Sequence, residues 1–455
     1  MISLENFFKP QSVVIIGVSR TPQKVGHVLF RNLLDGGYKG KVFLVNKNTQ
    51  TILNYDCYPS VLAIPEQVDL AIIAVPAEFV LQTLKECNKK NIKDILIITS
   101  GFAEVGNEKL EKQLKEYIIK NKMRMVGPNC LGILDAYNRF DSLFLPRYRL
   151  KRPVAGGISF VCQSGAVGST ILDLASEQGH KFSKFISYGN ATTLDESDFI
   201  QYLGEDPTTK VICLYVEGIR DGRKFMKVLQ EVVKKKPVIA IKGGITEEGT
   251  KAALSHTGSL AGNADVYFGI FKQLGIIHAK SLQEMLHFAT IFERGIIPHG
   301  NRVQIITNGG GYGILSTDAL VAHPALSLAK LENKTIIRLK QHLSPLVNIR
   351  NPLDLVGSAD TAAYQTALEC CLQDKNVDII LLIVLYQTPL VTTDIVDVII
   401  EFSKMKQKPI VVVSTGGEFT EVLRRSLDQN NLVTYTFPED AVHSLSALVE
   451  YYLKK

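Results

Sequence analysis

The stretch GISFVCQSGAVGSTILDL, Gly157–Leu174, reads as a short apolar strand, a turn of small residues and the first turns of a helix. A strand that feeds a helix in this way belongs to a parallel α/β layer, not to a sandwich or a helix bundle. The same grammar returns in RVQIITNGGGYGILSTDAL, Arg302–Leu320, so that residues 163 and 308 begin equivalent turns. The parallel continues downstream. DPTTKVICLYVEG, Asp206–Gly218, matches DKNVDIILLIVLY, Asp374–Tyr386, and PVIAIKGG, Pro237–Gly244, matches PIVVVSTGG, Pro409–Gly417. The chain therefore carries an internal repeat of one α/β unit.

The two copies differ in one place that scaffold need does not explain. After Gly416-Gly417 the chain enters a helix almost at once. After Gly243-Gly244 it makes an excursion, ITEEGTKAALSHTGSLAG, before the helical spacing of NADVYFGIFKQLG resumes at Asn263. Loops this long inside a compact α/β unit are commonly functional, and this one contains His256.

Upstream of the repeat, residues 1–140 alternate strand and helix through SVVIIGV, HVLFRNLLDGG, KVFLVN, DLAIIAVP, EFVLQTLKECNKKN, DILIITSG and RMVGPN, the pattern of a Rossmann-like parallel sheet. Its first turn, GVSRTPQKVG, departs from the dinucleotide fingerprint, because Gly26 is the next glycine after Gly17. The second strand runs into Asn46-Lys47-Asn48 where a nicotinamide dinucleotide site needs an acid for the ribose hydroxyls, and a lysine there suits a phosphorylated ribose. An NAD-dependent oxidoreductase is disfavoured on both counts. The loops VPAEF (Val75–Phe79), TSGFAE (Thr99–Glu104) and GPNCLG (Gly127–Gly132) fall on the strand-end edge where open α/β sheets bind ligands, and together they outline an adenine-nucleotide cleft. An irregular linker, Tyr137–Gly157, separates this sheet from the repeats. The expected domains are 1–140, 150–296 and 297–455.

With 455 residues, 46% of them hydrophobic, the chain has ample material for several cores. Its 51 basic and 45 acidic residues are dispersed, and Lys234–Lys236 reads as a solvated helix end, so neither nucleic acid nor a membrane surface is expected as a partner. The seven cysteines form no CxxC pair and read as reduced core residues, with no metal site among them. No apolar run reaches spanning length and MISLENFFKP lacks a leader pattern; a soluble, cytoplasmic protein is expected.

The chemistry follows from two features. The turns at Ser164-Gly165-Ala166 and Gly309–Gly313 each open a helix, whose free N–H groups and positive dipole end suit a phosphate. His256 is a candidate covalent nucleophile, and Glu217, at the end of the strand VICLYVE, is placed to hold the other ring nitrogen.

SHTGSLAG around His256, YVEGI around Glu217, CQSGAVG, GPNCLGI, TSGFAEVG and TNGGGYGILSTDAL resemble the NDP-forming acetyl-CoA synthetases of the succinyl-CoA ligase superfamily, over the whole chain. The resemblance is to the α subunit, and it implies a CoA-binding Rossmann-like domain followed by two flavodoxin-like parallel-sheet domains. It further implies that acyl-CoA, ADP and phosphate become acid, ATP and CoA through an acyl phosphate and a phosphohistidine, His256, on a mobile loop oriented by Glu217. The family's CoA contacts fall on Gly17, Val18, Ser19, Lys47, Val75, Pro76, Thr99, Ser100 and Gly101, with Lys24 as the alternative phosphate ligand to Lys47. Its phosphate contacts fall on Gln163, Ser164, Gly165, Asn308, Gly309, Gly310 and Gly311. ADP or ATP and Mg²⁺ are expected on an ATP-grasp β subunit, in an α2β2 assembly. The chain departs from the family at Asn46-Lys47, where a proline-lysine pair is common, at Cys162, where serine is common, and at Tyr312, where proline is common. The α subunit of succinyl-CoA ligase resembles only the first two domains. A non-catalytic CoA-binding sensor or assembly protein is the alternative from another class, and the acyl group is left open.

Overall fold

The apolar pentapeptide Ser12–Ile16 is buried along its whole length, as a central parallel strand covered on both faces must be. It is the middle of the first sheet in a computed structural model that describes residues 3–251, 263–405 and 407–453. His256 lies outside the described residues.

The chain divides into two compact units, Met1–Leu282 and Gln283–Lys455. In the first unit, one sheet runs in the order Thr51–Ile52, Tyr55–Tyr58, Lys41–Val45, Ser12–Ile16, Leu70–Ile73, Asp94–Ile97, Arg124–Val126, parallel apart from the terminal hairpin. A second runs Ile277–His278, Val238–Lys242, Val211–Val216, Ala155–Cys162, Phe182–Ser187, Gly132–Asp135, Phe140–Asp141. The last two strands come from sequence upstream of residue 150: Gly132–Asp135 pairs antiparallel with Phe182–Ser187, and Phe140–Asp141 pairs antiparallel with Gly132–Asp135. The first sheet thus ends at Val126, ahead of the boundary expected at 140.

What draws Gly132–Asp135 across is burial. Its residues are all buried, and Asp135 approaches the fully buried Lys184 at 3.5 Å, an ammonium that Asp206 holds at 2.8 Å. Lys184 without its carboxylates would be an unpaired interior charge costing several kcal/mol. One core runs through both sheets, from Val13, Ile15 and Leu96 to Val161, Ile212 and Leu214. Gly189 has φ +58°, a conformation that glycine adopts without strain. It lets the loop after Phe182–Ser187 lie so close to the GPNCLG loop that a Cβ would sit 2.3 Å from the carbonyl oxygens of Pro128 and Asn129.

The second unit has one sheet, ordered Asn348–Ile349, Leu353–Asp354, Arg302–Thr307, Ile379–Ile383, Ile410–Val413, Val433–Tyr435, with Ser327–Leu328 also on Arg302–Thr307. Its core is its own. The helix Leu282–Glu293, expected within 150–296, packs here: the Tyr435 hydroxyl donates to the His287 carbonyl at 3.1 Å, His443 and Glu284 lie 3.0 Å apart, and Phe292 meets Tyr451 edge-on. Among the described residues no helix is long and apolar enough to cross a membrane.

Candidate functional site

At the first sheet's strand ends, two glycines shape the ligand edge. Gly17 has φ +97°, and a Cβ there would lie 2.5 Å from the Ala74 carbonyl oxygen; a Cβ on Gly26 would lie 2.2 Å from the Gly17 oxygen. The helix Val25–Asp35 therefore approaches the strand as closely as in a dinucleotide fold, with a longer loop between the two glycines. That loop is tied down by the Asn46 amide, which donates to the Val18 carbonyl at 2.6 Å, and by His27 against the Ser19 carbonyl at 2.9 Å. Thr99 donates its hydroxyl to the Val75 carbonyl at 2.7 Å, joining two neighbouring strand ends.

Next to them stands a polar network. Glu104 accepts from the backbone N–H of Gly101 and Phe102 and from the Asn190 amide, which also donates to Glu111. Burial pushes the Glu104 carboxyl up, but these donors outweigh it and hold the group below its ordinary range. Asn190 in turn accepts from Asn129 at 3.2 Å.

The second sheet contributes the turn Gln163-Ser164-Gly165. Ser164 caps the helix Gly165–Glu177 by accepting from the Val167 N–H at 3.3 Å. The cap leaves the N–H groups of Gly165 and Ala166 for a ligand. Gln163 spends its Oε1 on the backbone N–H groups of Glu217 (2.7 Å) and Gly218 (3.2 Å). Its NH2 end remains as a donor. Cys162 beneath is fully buried, and burial pushes its thiol far up; it is a packing residue.

Glu217, only 7% exposed, follows the strand Val211–Val216. Lys242, the last residue of the adjacent strand, donates to the carbonyls of Glu217 (2.9 Å) and Gly243, and its ammonium stands 4.8 Å over the Tyr267 ring. Desolvation holds this lysine below its ordinary pKa. A Cβ on Gly243 would lie 2.7 Å from the Tyr215 hydroxyl and 3.5 Å from the Glu217 Cγ. The loop bearing His256 therefore leaves the sheet directly against Glu217.

These two sets of loops enclose one cleft of about 720 Å³, within the range of small-molecule sites and large enough for a nucleotide. Gly17, Ser19, Val75, Pro76, Thr99 and Ser100 line it from the first sheet, and Gln163, Ser164 and Gly165 from the second. Val18 is buried behind the loop, Lys47 stands exposed on the turn after Lys41–Val45, and the Gly101 N–H is taken by Glu104; none of the three belongs to the lining. Asn129, in the GPNCLG loop expected at the cleft, and Lys24 also line it; sequence reasoning missed Asn190 and Arg220, which line it too. The signal for Arg220 was present in the repeat, where EGIR stands against LYQT.

In the second unit, Asn308 repeats the Gln163 pattern: its Oδ1 accepts from the Leu385 N–H at 3.0 Å, and its amide donates to the Leu385 carbonyl and the Thr388 hydroxyl. The hydrogen bond identifies Leu385 as the counterpart of Glu217. Gly309 leaves room for the Leu385 side chain, whose Cδ1 would lie 2.4 Å from a Cβ there. Gly310 and Gly311 open the helix Gly310–Val321 and are exposed, but an Asp354 carboxylate oxygen lies 2.9 Å from where a Gly310 Cβ would be. Among the described residues, no group of three or more His, Cys, Asp or Glu is arranged to hold a metal ion.

Three family models match successive parts of the chain. Residues 11–136 match a CoA binding domain, 155–292 a succinyl-CoA ligase like flavodoxin domain and 303–451 a ligase-CoA domain. The chain is 41% identical to acetate–CoA ligase [ADP-forming] II subunit alpha of Pyrococcus furiosus, over 98% of this chain and 97% of that one. It is 35% identical to 4-hydroxybutyrate–CoA ligase [ADP-forming] of Nitrosopumilus maritimus, over 97% of this chain and 63% of that one. Among solved structures, the dinucleotide forming acetyl-coenzyme A synthetase 1 of Ca. Korarchaeum cryptofilum, in complex with phosphate and ADP, superposes with a TM-score of 0.93 at 35% identity, covering 100% of this chain and 99% of that one.

Proposed function

The chain belongs to the ADP-forming acetate–CoA ligase family, and on that premise we propose that it is the α subunit that turns acyl-CoA, ADP and phosphate into free acid, ATP and CoA with the help of an ATP-grasp β partner. The observation that carries this reading is the single cleft in which the strand-end loops of the CoA-binding domain meet the helix N-terminus at Ser164-Gly165, with Glu217 at the root of the His256 loop.

The chemistry runs in three transfers. A phosphate oxygen attacks the thioester carbonyl carbon, the C–S bond breaks, and CoA leaves as a thiolate that takes up a proton. Gly17, Ser19, Val75, Pro76, Thr99 and Ser100 hold the CoA nucleotide during this step, while the N–H groups at Gly165 and Ala166 and the Gln163 amide receive the phosphate. A ring nitrogen of His256 then attacks phosphorus, the P–O bond to the acyl group breaks, and the carboxylate departs. Glu217 accepts a hydrogen bond from the N–H of the other ring nitrogen, which keeps its proton, and stabilises the positive charge that develops on the ring. Phospho-His256 finally passes its phosphoryl group to ADP, which the β partner holds with Mg²⁺. Asn308–Gly311 would form a second phosphate station only with a cation brought to it, because Asp354 already faces that helix end with negative charge.

The test is co-expression with an ATP-grasp partner as an α2β2 complex, followed by assay of ADP phosphorylation over a panel of acyl-CoAs. The complex should make ATP and the purified chain alone should not. ATP formation by the single chain would overturn the partner requirement. A complex that binds CoA yet never acquires covalent phosphate would instead be a CoA-binding sensor.

A further inference from the structure

On the acyl-phosphate route just given, we infer that Arg220 is the cation that binds the phosphate dianion and the phosphoryl group made from it. Among the described residues, those lining the cleft include no aspartate or glutamate, and their only charged side chains are Lys24 and Arg220. A helix N-terminus offers about half a unit of positive charge, too little to balance a phosphate dianion beside a developing oxyanion. One full cation is needed on the second sheet's side, and Arg220 is the cleft residue that can supply it.

The loop that carries Arg220 is firmly held. Gln163 fixes the N–H groups of Glu217 and Gly218, and the Tyr267 hydroxyl accepts from the Ile219 N–H at 3.0 Å. Three successive backbone groups before Arg220 are thus pinned, one pin being a residue of the phosphate turn itself. The guanidinium, by contrast, is uncommitted: it is exposed, its hydrogen bond to the Ala191 carbonyl is long at 3.4 Å, and no carboxylate of the described residues forms an ion pair with it. The nearby acids are engaged elsewhere, Asp221 capping a helix through the Lys224 N–H, and Asp195 and Asp198 bound to the Lys224 ammonium.

The second copy of the unit shows what the scaffold alone requires. Thr388 stands three residues after Leu385 as Arg220 stands three after Glu217, and its hydroxyl closes the turn by accepting from Asn308 at 3.0 Å. Where Ser187 pairs with the strand end at Cys162, Asp354 pairs with the strand end at Thr307. The copy beside the His256 loop has a carboxylate, a guanidinium and a neutral hydroxyl; the other has leucine, threonine and an acid. The fold is satisfied without Arg220, so the arginine belongs to the chemistry. Its planar fork can take two oxygens of a tetrahedral phosphate at once, which a lysine cannot.

Arg220→Ala, Arg220→Gln and Arg220→Lys are to be made in the complex with the β partner. Two labelling routes are compared: acyl-CoA with radioactive inorganic phosphate, and ATP labelled at its γ-phosphate. Arg220→Ala and Arg220→Gln should raise KM for phosphate at least about tenfold and slow labelling from acyl-CoA by about a hundredfold or more, the usual scale for one electrostatic donor. Labelling from ATP, CoA affinity and Tm should stay close to wild type, and Arg220→Lys should recover part of the loss. Unchanged KM for phosphate overturns the assignment. So does a parallel fall in both labelling routes with a lowered Tm, which marks a scaffold role, or a fall confined to CoA affinity, which marks a nucleotide ligand. If wild type is labelled by neither route, the acyl-phosphate reading fails as well; if wild type is labelled and the variants match it, only the role of Arg220 fails.

Discussion

Glu217 and Leu385 occupy the same place in two copies of one unit, each with its backbone N–H held by the amide side chain at the start of the neighbouring turn. Because leucine serves the fold in one copy, loss of the charge at Glu217 should disturb chemistry more than stability. Glu217→Gln is expected to slow labelling from acyl-CoA and phosphate about ten- to a thousandfold, while leaving Tm within a few degrees of wild type. Calorimetry and the labelling assay together check this, and a large drop in Tm with unchanged labelling would reverse the assignment. The two candidate lysines separate in the same manner. Lys24 lines the cleft and Lys47 stands away from the lining, so Lys24→Ala should weaken CoA binding about tenfold and reduce its salt dependence, and Lys47→Ala should do neither. Titration calorimetry at two ionic strengths distinguishes them. The sequence position of Lys47, directly after the second strand, is the place where an adenosine ribose is read in a dinucleotide fold. What the position does not reveal is the path of the loop Gly17–Gly26, whose contact between Gly26 and Gly17 brings Lys24 to the cleft instead.

The helix Glu196–Glu205 begins with a capping box at Asp195 and Asp198, and its first residue, Glu196, is buried. Burial, aided by repulsion from Asp195, raises the Glu196 carboxyl from an ordinary value of 4.5 to about 7. Between those pH values the folded protein holds a proton that the unfolded chain has released. Stability therefore falls as pH rises through this window, by on the order of 3 kcal/mol for this one group, and levels off above it. Glu196→Gln should flatten the Tm profile between pH 5 and pH 8 and raise Tm at the alkaline end; an unaltered slope would refute the cause. Elements of this kind were legible in part. The strand-turn-helix segments and their repetition follow from apolar runs and small-residue turns, because those signals are local. Gly132–Asp135 and the helix Leu282–Glu293 cross the boundaries expected from sequence because their destinations depend on distant partners, Phe182–Ser187 for the strand and Tyr435, His443 and Tyr451 for the helix. The candidate cleft was legible wherever backbone at strand ends lines it, and illegible where a side chain such as Asn190 reaches in from a loop without a motif of its own.

Each of the two compact units keeps its own apolar interior, the second from Ile306 through Tyr364 and Leu382 to Leu432. A fragment covering residues 283–455 is therefore expected to unfold cooperatively in denaturant, with an m-value set by its own size, and to show no affinity for CoA. A non-cooperative transition would mean that the interior is incomplete without the rest of the chain. The first unit is built on a different plan. Its two sheets share one interior, and the chain sews them together by sending Gly132–Asp135 and Phe140–Asp141 from the end of one sheet to the edge of the other. The walls of the cleft are thus welded rather than hinged, and this bears on the tempo of encounter with ligand. In stopped-flow mixing, the observed rate of CoA capture should climb in proportion to CoA concentration without reaching a plateau, and should slow in viscous solvent and in salt as a diffusive collision between charged bodies does.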